Sequence, residues 1–171
     1  MRAATFQCET LTADAMREAE PLLRAHWAEV AHYDDIPLDP DVAVYVATQN
    51  AGALRYYTIR DTADGSLLGY AVFFVRAHPH YRTTRYAAQD VIFLHAGARG
   101  LIGLKFLKWC DAQLQAEGVT VVTQHVKAAH DFGPILLRNG YEVVDIIYAK
   151  RLDVARVIDA ATSAAYTVEQ S

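Results

Sequence analysis

The amino-acid sequence predicts an α+β fold with a mixed, mostly antiparallel central sheet flanked by helices. Its 171 residues, of which 53% are hydrophobic and 21% charged, suit a single domain around one core. Two strand-like segments in the middle of the chain flank a tight turn, which is typical of antiparallel pairing. Later strand-like segments alternate with helical ones, which indicates crossover connections. Hairpins followed by crossovers define the predicted class.

The first third of the chain predicts one strand and two helices. A strand at Phe6–Leu11 ends where Thr12 or Asp14 can cap a helix. Pro21 would kink this first helix or restart it. A second short helix is predicted at Asp41–Gln49. The apolar stripe of the first helix is formed by Met16, Ala19, Leu23, Trp27 and Val30.

The middle of the chain predicts three strands. Leu54–Arg60 and Leu67–Val75 flank a turn that contains Asp64-Gly65, a strong hairpin signal. A polar, His-rich crossing over Ala77–Arg85 then leads to a strand at Ala88–Leu94.

The last third predicts a helix, a strand, a short helix and a final strand. The strand is expected at Val119–Val126, the short helix at Asp131–Arg138 and the final strand at Tyr141–Leu152. The folded domain is therefore predicted to span residues 1–152, and residues 153–171 form an Ala-rich tail with at most one weak helix. The preceding helix has an apolar stripe of Leu104, Leu107, Cys110 and Leu114.

Composition and charge narrow the classes of function. The net charge of −4 gives no overall attraction to nucleic acid or to an anionic membrane, although a local basic patch stays open. Cys8 and Cys110 form neither a disulfide framework nor a zinc spacing, and the seven histidines show no metal-ligand spacing. Neither a signal peptide nor a membrane-spanning apolar run is recognisable. We predict a cytoplasmic protein without a metal.

The segment from Val91 to Leu104 carries the strongest functional signal. It predicts a strand, a loop with glycines at 97, 100 and 103, and the start of a helix. Glycines let the backbone approach a ligand closely, and the amides of a first helical turn bind anions such as a pyrophosphate. Without further context, the glycines could equally be ordinary turn residues. The segment lacks a P-loop Lys-Ser/Thr and the context of a dinucleotide fold.

Two motifs in their order resemble the GNAT superfamily of N-acetyltransferases. Arg99-Gly100-Leu101-Ile102-Gly103 resembles the loop that binds the acetyl-CoA pyrophosphate, and Asn139-Gly140-Tyr141 resembles the family's Gly-Phe before a late strand. The resemblance covers about residues 3–152. The segment His125–Pro134 is similar to one in short acetyltransferases of phage and prophage genomes. The resemblance implies a GNAT fold and transfer of an acetyl group from acetyl-CoA to a primary amine.

The resemblance also implies a donor site, with two departures. Phe93 and Leu94 would line the strand edge that binds the pantetheine arm. The second glycine of the loop is displaced from its usual position, and one continuous run replaces the usual last hairpin. The backbone that would hold the pyrophosphate belongs to Arg99, Gly100, Leu101, Ile102, Gly103 and Leu104.

Asp90 is the candidate general base. It lies in the strand where many family members place a glutamate, and an amine must lose a proton before it attacks. A strand carboxylate that simply faces solvent is the alternative. The family's usual acid, a tyrosine, is replaced here by Leu136. His125 and Tyr141 are the substitutes considered, although Tyr141 could instead pack in the core and His125 could be an ordinary strand residue.

The acceptor pocket is expected beside the first helix and the loop that follows it. The resemblance places His26, Glu29, Tyr33 and His80 at that pocket, and an acidic wall there would suit a cationic amine. An exposed acidic loop without a ligand is the alternative.

Other functions stay open at this stage. Leu136 in place of the tyrosine leaves a non-catalytic scaffold that binds CoA or a partner. The phage-like segment leaves an enzyme that modifies a nucleic-acid base or a host protein, although the net acidity disfavours nucleic acid. The expected location is the cytoplasm of a bacterial or phage-infected cell, and a homodimer is left open.

Overall fold

A five-stranded sheet forms the centre of the computed structural model, which describes residues 3–33 and 35–153. Its order is β1-β2-β3-β4-β5; neighbours from β1 to β4 are antiparallel and β5 is parallel to β4. The prediction of a mixed, mostly antiparallel α+β sheet is confirmed. The strands are β1 (Ala4–Glu9), β2 (Leu54–Asp61), β3 (Leu67–His78), β4 (Tyr81–Leu94) and β5 (Val121–Thr123).

Helices cover both faces of this sheet. Thr12 caps the first helix by accepting a hydrogen bond from the Ala15 amide, and that helix runs through Pro21 without a restart. Asp41 caps the second helix in the same way through the Val44 amide. The helices are α1 (Ala13–Val30), α2 (Val42–Asn50), α3 (Leu101–Ala116) and α4 (Gly133–Leu137).

Strand alternation divides the core into two layers. Adjacent residues of a strand point to opposite faces, so Tyr56 packs toward α1 while Tyr57 packs toward α3. The α1 layer contains Leu11, Ala19, Leu22, Tyr70, Val72 and Phe93. The α3 layer contains Phe73, Val75, Ala87, Phe106, Cys110 and Leu114.

The predicted crossing over Ala77–Arg85 is wrong. Strands β3 and β4 continue through it as a long hairpin, with Ala77 paired to Arg85 and the turn at Pro79 and His80. Only the proline interrupts the strand pattern, and a proline in a tight turn does not end a hairpin. The prediction gave the polar character of the segment too much weight.

The end of the chain also differs from the prediction. Strand β5 has three residues, and residues 141–152 form no strand. An apolar run indicates strand potential, but a strand exists only where its backbone finds a ladder partner. The large apolar side chains of this run are exposed: Val143, Val144, Ile146, Ile147, Tyr148 and Leu152.

The chain divides into two units, Met1–Tyr141 and Glu142–Ser171. In the second unit Arg151 forms an ion pair with Asp153 at 2.5 Å. The predicted tail lies outside the described residues apart from Asp153. Among the helices of the described residues, none combines the length and apolarity needed to cross a membrane.

Candidate active site

A bulge in β4 determines the position of Asp90. Val72 pairs with Val91 and Phe73 pairs with Gln89, so Asp90 is the extra residue between two ladder positions. A bulge lets two consecutive side chains lie on the same face of a sheet. Asp90 bonds to helix α2 and Val91 packs into the α1 layer, so both face the same side.

Tyr45 of α2 holds the Asp90 carboxylate. Its hydroxyl donates a hydrogen bond of 2.6 Å to Asp90 Oδ2, and its ring stacks on Phe74. Burial, together with the Asp90 carboxylate, raises the pKa of Tyr45, so the hydroxyl keeps its proton and remains a donor. Asp90 Oδ1 has no hydrogen-bond partner within residues 3–33 and 35–153. One carboxylate oxygen is therefore fixed and the other is available.

The sheet opens between β4 and β5 directly beside Asp90. The two strands pair only where Tyr86, Ala87 and Ala88 meet β5. The next link is a side chain, because the Gln89 Oε1 atom accepts a 2.7 Å hydrogen bond from the His125 amide. Gln89 is only 4% exposed, so this bond is shielded from water. Within the described part of the chain, residues 90–94 consequently have a strand neighbour on one side only.

Glycines of the loop after β4 have different roles. Gly100 has φ of 81° and ψ of −126°, a conformation that side-chain-bearing residues rarely adopt. Gly103 instead provides space, because a Cβ atom there would lie 3.1 Å from Leu94 Cδ2. Gly100 therefore shapes the loop, and Gly103 lets α3 pack closely against the end of β4.

Helix α3 begins without a side-chain cap, unlike α1 and α2. The first amides of a helix have no intrahelical acceptor, which here applies to Leu101, Ile102 and Gly103. The Leu104 amide already donates to the Gly100 carbonyl at 3.0 Å, and the Arg99 amide donates to Ala96 at 3.3 Å. Uncapped amides at the positive end of a helix dipole are suited to bind an anion.

The side chain of Arg99 is committed to other protein groups. It forms an ion pair with Glu29 of α1 at 2.6 Å, and its Nε atom donates to the Leu94 carbonyl at 3.1 Å. Its guanidinium also lies 5.5 Å from the centre of the Phe93 ring. Arg99 therefore fastens the glycine loop to α1.

His26 joins the same cluster. Its ring stacks on Phe93 with 5.0 Å between centroids. Burial lowers the pKa of His26, while Glu29 acts in the opposite direction and Lys127 adds to the lowering. The structure thus brings His26 and Glu29, predicted for the acceptor pocket, next to Phe93 and Arg99, predicted for the donor site.

Tyr141 lies with α3 and not with Asp90. Its hydroxyl donates a 2.6 Å hydrogen bond to Asp111 and accepts one of 3.3 Å from Gln124. Burial raises the pKa of Asp111 and that of Tyr141. Leu136 is buried in the core. Two of the three predicted catalytic residues, Asp90 and Tyr141, therefore bond to helices on opposite faces of the sheet.

Of the remaining predicted residues, His125 meets this cluster through its backbone and His80 lies far from it along β4. The His125 amide binds Gln89, while its side chain is exposed. Tyr33 packs edge-on against His32 at 4.6 Å. His80 occupies the β3–β4 turn, about 40 Å along the strand from Leu94.

Within the described part of the chain, no group of three or more His, Cys, Asp or Glu side chains is arranged to hold a metal ion.

Sequence reasoning missed Tyr45 and Gln89. Tyr45 is a single tyrosine in a short apolar helix, and no spacing connects it with Asp90, 45 residues later. Gln89 precedes Asp90 directly, but only the three-dimensional opening of the sheet gives its amide a role. Both contacts depend on tertiary packing.

The sheet order, the opening between β4 and β5, and the glycine loop leading into α3 give this chain the fold of the GNAT acetyltransferases. Solved structures of acetyltransferases superimpose on nearly the whole chain. No family model matches it, and no curated protein matches it in sequence.

Three solved structures illustrate the likeness. A predicted acetyltransferase from Clostridium acetobutylicum, solved with acetyl-CoA, has a TM-score of 0.66 at 11% identity, covering 88% of this chain and 97% of its own. An aminoglycoside acetyltransferase from an uncultured soil metagenomic sample, in complex with sisomicin, has a TM-score of 0.64 at 12% identity. The match covers 86% of this chain and 97% of that chain. Ribosomal-protein-alanine N-acetyltransferase from Brucella melitensis biovar Abortus 2308 has a TM-score of 0.63 at 18% identity. The match covers 87% of this chain and 99% of that chain. At these identities the likeness shows the fold.

Proposed function

We propose that the protein is an acetyl-CoA-dependent N-acetyltransferase that acts on a primary amine. The observation that carries the proposal is the uncapped start of α3 beside the one-sided stretch of β4 at residues 90–94. These two features offer an anion site and a free strand edge at one end of the sheet. Acetyltransferases of the same fold, one of them solved with acetyl-CoA, support the assignment.

The donor side fits the chemistry of acetyl-CoA. The amides of Leu101, Ile102 and Gly103 would hold the pyrophosphate, and the edge of β4 at Phe93 and Leu94 would bind the amide-bearing arm. Acetyl-CoA supplies the acetyl group as a thioester. Arg99 acts indirectly, because its ion pair with Glu29 fixes the loop. Leu94 contributes less than the resemblance implies, since its carbonyl already accepts from Arg99.

Asp90 acts as the base on the acceptor side. Its Oδ1 atom accepts a proton from the ammonium group, because a neutral amine is the nucleophile. Tyr45 is a positioning residue that fixes the other oxygen, Oδ2. Leu136 has no proton to give, so in this proposal the leaving thiolate takes its proton from solvent.

Kinship with phage-encoded acetyltransferases, indicated by His125–Pro134, and a cytoplasmic location both stay predictions. The three solved structures above come from bacteria and a soil metagenome, so they add nothing for a phage origin. The modification of a nucleic-acid base or a host protein belongs to the same set of predictions.

A non-catalytic scaffold that binds CoA is the second candidate. Leu136, a buried apolar side chain where the family places its acid, favours it. Turnover of acetyl-CoA distinguishes the enzyme from the scaffold, since a scaffold would bind CoA species without releasing free CoA thiol from acetyl-CoA.

Release of free CoA thiol over a panel of amines tests the proposal. We expect turnover with at least one amine and a loss of about 10²- to 10⁴-fold for Asp90→Asn. Asp111→Asn is the matched control, because this other half-buried aspartate bonds to Tyr141 on the α3 side. Equal losses in both variants would contradict the assigned role of Asp90. Acetyl-CoA binding without turnover on any amine would favour the scaffold.

A further inference from the structure

A two-stranded ribbon extends from the sheet at the far end of β3 and β4. Strand β2 reaches only to Phe74 of β3, and β5 reaches only to Tyr86 of β4. Among the described residues, the ladder pairs of this ribbon are Arg76 with Tyr86, Ala77 with Arg85 and His78 with Tyr81, with the turn at Pro79 and His80. At its base the Arg85 carbonyl also accepts a 2.8 Å hydrogen bond from the Thr120 amide. We call residues 76–85 the basic ribbon.

The charge of the basic ribbon is opposite to that of the chain. The sequence contains no Asp or Glu between Asp64 and Asp90, although the net charge of the protein is −4. Arg76, Arg82 and Arg85 all fall within that stretch. Like charges on a thin ribbon repel one another, and a bound anion would relieve this repulsion.

Within the part of the chain that the structure describes, two of these arginines lack the carboxylate partner that most of the other arginines have. Arg76 and Arg82 have no hydrogen-bond or ion-pair partner within residues 3–33 and 35–153. Arg85, at the base of the ribbon, lies 3.9 Å from Glu117. Carboxylate partners are present for Arg17, Arg24, Arg55, Arg60, Arg99 and Arg151.

A groove lies between the unpaired arginines. The register breaks after Ala77, so residues 82–84 have no ladder partner on β3. The space lined by Val75–Ala77 and Arg82–Arg85 has a volume of about 330 Å³. Such a volume lies at the lower end of the range for sites of small organic groups. Thr83 and Thr84 add hydroxyls to its lining.

Aromatic rings surround the same end of the ribbon. His78 lies 4.9 Å from Tyr81 and 5.5 Å from His80 between ring centroids. Tyr81 is 63% exposed although it is large and partly apolar. Exposed rings beside arginines are the elements on which unpaired nucleobases stack.

We propose that the basic ribbon binds single-stranded nucleic acid. Arg76 and Arg82 contact backbone phosphates along the groove, and a base stacks on Tyr81. The carboxylates of an acidic protein could pair with the arginines equally well, but they would not stack on the exposed aromatic rings. Because nucleobases do stack on such rings, the rings favour nucleic acid as the ligand. This inference does not depend on the proposed acetyltransferase activity.

Fluorescence anisotropy with a labelled 12-nucleotide single-stranded RNA, and with DNA of the same sequence, tests the ribbon. We expect binding that weakens between 50 and 200 mM salt. The double variant R76A/R82A should bind about tenfold or more weakly and show a salt slope smaller by about 1.4, for two lost phosphate contacts. Tyr81→Ala should weaken binding by about 5- to 100-fold without changing that slope.

The double variant R17A/R24A is the matched control, because it also removes two positive charges but from carboxylate-paired sites on α1. It should bind like the wild type. Thermal unfolding and acetyl-CoA binding of each variant separate loss of the fold or of the donor site from loss of the ribbon. The proposal is overturned by no binding at 50 mM salt, by equal losses in both double variants, or by equal binding of an oligoglutamate peptide that is insensitive to Tyr81→Ala.

Discussion

Asp90 owes its orientation to one extra residue in β4. Without the bulge, alternation would send Asp90 and Val91 to opposite faces, and the carboxylate could not reach Tyr45 of α2. The bulge therefore turns a strand carboxylate toward the opening of the sheet. The proposed role of Asp90 therefore depends on a main-chain irregularity that the sequence pattern does not reveal.

Replacement of Tyr45 by phenylalanine tests the positioning role. We expect Tyr45→Phe to lower kcat by about 10- to 100-fold, because one hydrogen bond to a charged group contributes about 1.5–3 kcal/mol. The Kd for acetyl-CoA should stay unchanged, since Tyr45 contacts Asp90 and not the loop after β4. Tyr81→Phe is the control for loss of a hydroxyl elsewhere. Loss of acetyl-CoA affinity in Tyr45→Phe would contradict a role limited to Asp90.

His26 gives the stability a dependence on pH with a defined sign. Burial lowers its pKa below 6.5, so the unfolded chain takes up this proton at a higher pH than the folded one. The free energy of unfolding should therefore fall as the pH drops below about 6.5. Asp90 and Glu29 favour the proton on His26, while Arg99 and Lys127 oppose it.

The measurement is urea unfolding between pH 5 and pH 7.5. We expect a smaller loss of stability toward acid in His26→Gln than in the wild type. His32→Gln, at an exposed histidine just after α1, should keep the wild-type pH dependence. A His26→Gln curve parallel to the wild type would show that the histidine does not titrate differently on folding.

At the scale of elements, two glycines determine how closely the end of β4 is packed. A Cβ atom at Gly69 would lie 2.8 Å from the Phe93 carbonyl oxygen, whereas one at Gly103 would meet only the flexible Leu94 side chain at 3.1 Å. Main chain held in a sheet cannot move aside as a leucine can. We expect Gly69→Ala to destabilise the protein by about 2–3 kcal/mol and Gly103→Ala by about 1 kcal/mol or less.

Thermal and urea unfolding of the two alanine variants measure this difference. Gly52→Ala, at a position with φ of 72° and no neighbour within 4 Å, measures instead the separate cost of a side chain in a left-handed backbone conformation, which neither Gly69 nor Gly103 has. Equal effects at Gly69 and Gly103 would contradict the proposed difference in rigidity.

Elements with local signals could be predicted from the sequence, and elements that need a distant partner could not. Thr12 and Asp41 cap their helices as such residues do, and Gly65 takes a positive φ in the predicted turn. The strand expected at Tyr141–Leu152 fails, because its apolar pattern does not specify what it pairs with. The loop proposed for the donor carries a local signal in its glycines, whereas no local signal connects Tyr45 with Asp90.

At the scale of the whole molecule, residues 143–148 expose much apolar surface. Five large apolar side chains between residues 143 and 148 are 69 to 89% exposed. Patches of this kind in soluble proteins mark contacts with another molecule. The segment is therefore a candidate contact surface, and the homodimer that the sequence left open stays a prediction.

Light scattering after gel filtration, at several protein concentrations, tests this expectation. We expect the wild type to have a mass above the 19.0 kDa of one chain. In the double variant I146E/I147E the mass should fall toward 19.0 kDa. Val44→Glu, at an isolated exposed valine of α2, is the control and should leave the mass unchanged. A wild type that remains at 19.0 kDa at all concentrations would contradict the homodimer.

In the proposed function the uncapped start of α3 binds the acetyl-CoA pyrophosphate, and calorimetry on two variants of one residue tests this claim. Leu101 is the first residue of α3, where proline is tolerated but removes the amide hydrogen. Leu101→Ala removes the same exposed side chain and keeps that hydrogen. We predict acetyl-CoA binding to wild type and Leu101→Ala, and about 10- to 100-fold weaker binding to Leu101→Pro. Equal affinities in the two variants, or no binding to the wild type, would contradict the claim.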